Sequence, residues 1–206
     1  MTDTNIEDRP MVRPGALIAI IILTAGGFLW LSTRPQPQEQ VVQREVMLSN
    51  LNRLDNRFVL GGTSNHFTGL AVEYYKSTGK LKSRTVISNG FLQGLSEGWF
   101  TNGQIQVMEF FTNGVSHGRR TKWYSDGATQ SVANITAGKL EGEFLRWHTN
   151  GQLSQRVLLS NGVAHGISEA WFSNGNRKAR AVMDHGKIVE QEFFEDPAAP
   201  QKDSNR

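Results

Sequence analysis

The chain contains no cysteine. That single absence excludes disulfides, thiolate metal centres, a cysteine nucleophile and a lipid-bearing N-terminal cysteine. It leaves the redox compartment open, because a cysteine-free chain folds on either side of a membrane. A phosphate-cradling glycine loop is also missing, since the glycines stand between β-prone runs and never open a helix. Charge of one sign is scarce as well: 22 Lys and Arg against 19 Asp and Glu leave a formal +3 over 206 residues. Residues 67–190 are more basic, with fourteen Lys and Arg against nine Asp and Glu. Such a bias favours anionic surfaces only weakly, and no nucleic-acid partner is expected from it.

What the chain does have is glycine on a fixed interval. One series is Gly79, Gly103, Gly127, Gly151 and Gly175, and a second is Gly90, Gly114, Gly138, Gly162 and Gly186, each stepping by 24. Four residues before every member of the first series stands a large ring: Tyr75, Trp99, Trp123, Trp147 and Trp171. Tandem repetition at this period makes an array of small supersecondary units, so function is to be sought on a repeated surface before a single pocket. The array occupies most of the chain and leaves no room for a separate catalytic domain.

The copy Phe91 to Gly114 shows what one unit is. Two β-prone runs, Leu95 to Thr101 and Gln104 to Phe111, flank Asn102-Gly103, a strong hairpin signal. The second series repeats that signal at the far end, with Asn89, Asn113 and Asn161 before the glycine, and Ala137 and His185 in the other two copies. Four residues on, Gly94, Gly118, Gly142 and Gly166 recur, with Gly69 one place early in the first copy, and this stretch is expected to turn the chain into the next hairpin. The fold class is therefore all-β: an elongated single-layer antiparallel sheet of 24-residue hairpin repeats. The copies are 67–90, 91–114, 115–138, 139–162 and 163–186, with half a repeat at 187–194 closing the last edge. Residues 51–66 read as an off-register capping segment.

Alternation places Leu95, Glu97 and Trp99 on one face and Ser96, Gly98 and Phe100 on the other. The rings Tyr75, Trp99, Trp123, Trp147 and Trp171 should then form one row, about 9 to 10 Å apart. They are the candidate partner-binding residues, and they equally suit a structural role of burying apolar area on a one-layer sheet. Phe100, Tyr124, His148 and Phe172 make a second row opposite.

Ahead of the array, Ala16 to Leu31 is apolar throughout, and Arg13 and Arg34 bracket twenty uncharged residues. As a helix that run is about 30 Å long, enough to span a bilayer. Residues 16–32 are read as an uncleaved signal anchor behind an N-terminal flank at 1–15, with 33–50 a spacer and 195–206 a disordered tail. The expected location is a single-pass membrane protein with the array on the extracytoplasmic side.

The pattern of Gly, Trp or Tyr, Asn-Gly and again Asn-Gly at this period resembles the MORN repeats, in particular the bacterial variant of that family, some of whose members are labelled antitoxins. The resemblance covers residues 66–194. It implies stacked hairpins without catalysis of their own, serving protein contact, dimerisation or attachment near membranes. A protein partner is therefore expected, a homodimer is compatible with open sheet ends, and a tethered antitoxin-like inhibitor is one form of this reading.

Individual residues offer little chemistry. His117 and His165 are equivalent and two repeats apart, roughly 19 Å, too far to share a metal, so no metal and no cofactor is expected. Glu73, Glu97 and Glu169 recur on the tryptophan side without pocket-forming loops, which argues against acid–base catalysis. Lys80, Lys82 and Arg84, with Arg119, Arg120 and Lys122, are the candidate contacts for an anionic lipid or envelope polymer, the first three expected on one side of the sheet.

Overall fold

The computed structural model describes residues 44–197. Its strands are β1 (Glu45–Met47), β2 (Leu51–Leu54), β3 (Arg57–Leu60), β4 (Gly69–Tyr74), β5 (Leu81–Ser88), β6 (Phe91–Trp99), β7 (Ile105–Thr112), β8 (Val115–Ser116), β9 (Gly118–Trp123), β10 (Thr129–Thr136), β11 (Lys139–Trp147), β12 (Leu153–Ser160), β13 (Val163–Trp171), β14 (Arg177–Asp184) and β15 (Lys187–Phe193). Thirteen of them form one sheet, and from β4 onward neighbours in sequence are neighbours in space. This is the expected ladder of hairpins. No helix among the described residues is long and apolar enough to cross a membrane. The proposed anchor at 16–32 and the end of the tail beyond 197 lie outside the described residues.

The two glycine series make different turns. At the second series both central residues have positive φ, as in Asn113 at 50° and Gly114 at 81°, the mirror-image two-residue turn that matches strand twist. The first series makes a longer turn: Gly103 N–H donates to Phe100 O, Phe100 N–H donates to Gln104 O, and Gly103 alone supplies the left-handed residue. Gly94 and its counterparts are not part of a turn. Gly94 lies within β6 at φ 82°, where the pairing with β5 slips between Thr85 and Ile87. The step from one hairpin to the next therefore takes two residues and is followed by a glycine bulge within the strand, where a four-residue connection was expected.

The N-terminal edge differs from the sequence expectation too. Part of the stretch read as spacer forms β1, which pairs in parallel with β4 (Val46 opposite Ala71). The β2–β3 hairpin then folds over the first repeat: Phe58 N–H donates to Gly90 O and Phe67 N–H to Phe58 O. Beneath it lies a cluster of Leu51, Phe67, Ala71 and Ile87, with Val46, Leu48, Phe58, Leu60 and Leu92 packed around. Beyond this cap few side chains are fully buried, Ala133 and Ile135 being examples, as a one-layer sheet requires. At the other end β15 is exposed along its whole length, so the half repeat extends the array but leaves its last edge open. Lys187, Glu190 and Glu192 put charge on that edge, which opposes edge-to-edge pairing.

Candidate binding surface

Cross-strand register assigns the candidate side chains on the strands to a face. Arg84 opposes Glu97 and Glu97 opposes Met108, and the same line continues through Thr121, Val132, Leu145 and Arg156 to Glu169. Trp99, Trp123, Trp147 and Trp171 lie on this face, each half-buried. Arg84 stacks its guanidinium 5.8 Å from the Trp99 ring while donating to Glu97 Oε2 at 2.6 Å. Further along, Arg156 Nε donates to Glu143 at 2.7 Å and Arg177 pairs with Glu169 at 3.1 Å. Glu97, Glu143 and Glu169 are thus held by guanidinium groups, and Glu97 and Glu169 stand six strands apart, roughly 29 Å, so no acid–base pair is assembled from these two.

Tyr75 does not belong to the tryptophan row. Its N–H donates to Lys80 O across a turn one residue longer than the later ones, where Phe100, Tyr124, His148 and Phe172 close onto the residue four positions on. The strand residue equivalent to the tryptophans is Tyr74, opposite Leu81 as Trp99 is opposite Ile105. The spacing of 24 was kept only because the strand begins one residue early, at Gly69, and the turn adds that residue back. Glu73 is displaced by the same shift: it opposes Ser83 on the other face and pairs with Lys82 at 2.9 Å.

Where the second row carries a polar atom, it clamps one repeat to the next, and Tyr75 belongs with it. Tyr75 Oη donates to Trp99 O and Tyr124 Oη to Trp147 O, both at 2.7 Å, and His148 Nε2 lies 2.9 Å from Trp171 O. Asparagines of the first turn series add a parallel line, Asn102 Nδ2 donating to Ser125 O and Asn150 Nδ2 to Ser173 O. These bonds join each unit to the next along one edge.

The basic residues do not gather into one patch. A bulge between Leu81 and Ser83 turns Lys82 to the face opposite Arg84, which is why their alternate spacing misleads. Lys80 Nζ donates to Asn102 O at the turn edge. Arg119 lines an open depression between Trp123 and Trp147, whereas Arg120 and Lys122 lie on the opposite face, Arg120 beside Glu109 at 3.6 Å.

One juxtaposition was not foreseen. His165 on β13 meets His185 in the β14–β15 turn, their ring centroids 5.8 Å apart, with Asp184 beside both. His117 is the repeat equivalent of His165 and lies two repeats away, whereas His165 and His185 occupy different repeat positions on adjoining elements.

With this geometry in hand, residues 140–161 match the model of the MORN repeat variant family. The matched segment lies within one of the five hairpin copies, so the chain carries a MORN-type repeat there. Repeats of this kind are generally non-catalytic and suit binding to proteins or membranes. No curated protein matches the chain significantly.

Proposed function

We propose that this chain is a non-catalytic repeat protein of the bacterial MORN-variant type, anchored in a membrane through residues 16–32, that docks a protein partner on its tryptophan face. The observation that carries the reading is the exposure of large apolar side chains on that face: Phe110 at 43 %, Leu158 at 41 % and Ile167 at 50 %. Ile167 alternates along β13 with the paired Glu169 and the half-buried Trp171, and Leu158 stands two residues from the paired Arg156, so apolar anchors lie inside a polar surround. An antitoxin-like inhibitor would use the same docking with a toxic protein as partner. A reader of anionic polymer is less well supported, because Lys82, Arg84 and Arg120 are divided between two faces and engaged by Glu73, Glu97 and Glu109.

To test the docking, Phe110→Asp and Ile167→Asp are made together and the full-length protein is crosslinked in its native membranes. The double variant is expected to lose its stoichiometric protein adduct while retaining the circular dichroism of the sheet. An adduct of undiminished yield would remove the tryptophan face from consideration.

A further inference from the structure

We infer that His165, Asp184 and His185 bind a single divalent cation of the zinc type. The array supplies its own comparison. Immediately before the two-residue turn the other copies have Ser88, Thr112, Thr136 and Ser160, and the fifth has Asp184. At the first turn position they have Asn89, Asn113, Ala137 and Asn161, and the fifth has His185. A third position reaches that turn from the neighbouring strand. In three copies it serves the turn's backbone: Thr68 Oγ1 accepts from Asn89 N–H at 2.9 Å, Gln93 Oε1 from Asn113 N–H at 2.9 Å, and Glu141 Oε2 from Asn161 N–H at 2.6 Å. In the fifth copy it is His165. All three positions hold ligand-type side chains together in that copy alone; His117, at the same place in the third copy, faces a turn made by Ala137-Gly138.

The geometry suits one ion. His185 Nδ1 lies 2.6 Å and His165 Nδ1 3.7 Å from Asp184 Oδ1, and one ligand atom from each residue falls within 4.8 Å of the others. A tetrahedral ion with bonds of about 2.0–2.2 Å holds its ligand atoms roughly 3.3 Å apart, so rotation of side chains is enough to close the set. The backbone under them is fixed by pairing of Gly166 with Met183 and of Asp184 with Lys187. Two imidazoles and a carboxylate are donors for zinc and its neighbours rather than for calcium or magnesium. Side-chain exposures of 57 %, 58 % and 86 % leave the remaining position open to water. An ion here would tie the β14–β15 turn to β13 and stiffen that hairpin.

The test is calorimetric titration of untagged full-length protein with Zn2+, a polyhistidine tag being excluded because it would compete. Saturation at one ion per chain is expected. His185→Asn and Asp184→Ser each install the residue other copies use and so preserve the hairpin. Each is expected to weaken binding by more than the about 10–100-fold that loss of a supporting group alone causes, with His117→Ala unchanged. Absence of saturable binding to the wild type, or equal affinity in His185→Asn, would overturn the site.

Discussion

Ala137 occupies a backbone conformation that its counterparts give to Asn89, Asn113, Asn161 and His185. Its φ is 49°, in the left-handed region where an alanine side chain crowds the following carbonyl. Asparagine tolerates that region because its amide bonds locally. Ala137→Asn is therefore expected to stabilise the protein by on the order of 1 kcal/mol, the scale of the left-handed penalty. A lower midpoint in urea for the variant would contradict this. Single side chains are also where sequence reasoning failed most clearly. The interval of 24 alone puts Tyr75 with the tryptophans, but a strand starting early with a longer turn preserves an interval while reversing a face. Lys82 was misassigned for a related reason, since a bulge residue interrupts alternation without leaving a mark in composition.

The strands and their hairpins were legible because each copy repeats a β-prone run, a turn dipeptide and a second such run. Turn type was less so: Asn102-Gly103 and Asn113-Gly114 are the same dipeptide, yet only Asn113-Gly114 has both residues at positive φ. The parallel strand β1 was missed because three residues in a polar stretch carry no periodic signal, and their strand character comes from pairing with β4. The cap is the element with a real core. Phe67 is 4 % exposed and Ile87 1 %, so burial there supplies more than anywhere else in the sheet. Phe67→Ala is expected to cost about 3–5 kcal/mol, concentrated in the cap and first repeat. Hydrogen exchange should show lost protection in β2 to β5 with β12 to β14 little changed, and uniform loss across the sheet would show that the cap is not a separate unit of stability.

Over the whole molecule, strand order follows chain order, so each hairpin touches its neighbours and stability is expected to follow nearest-neighbour terms. Such a sheet has little interior, and function falls to its faces and edges. One face bears inter-repeat clamps from Tyr75, Tyr124 and His148, which explains those rings structurally. The tryptophan face lacks that explanation for Phe110, Leu158 and Ile167. The candidate site was therefore half legible: the repeated indoles marked the face, while the exposed aliphatic and phenyl groups became visible only once register was known. The most direct measurement places a photo-crosslinking amino acid at Ile167 in one version of the full-length protein and at Lys122, on the opposite face, in another, and irradiates both in native membranes. A discrete protein adduct from position 167 and none from 122 is the expected result. Adducts from 122 alone, or only lipid from both positions, would contradict docking on the tryptophan face.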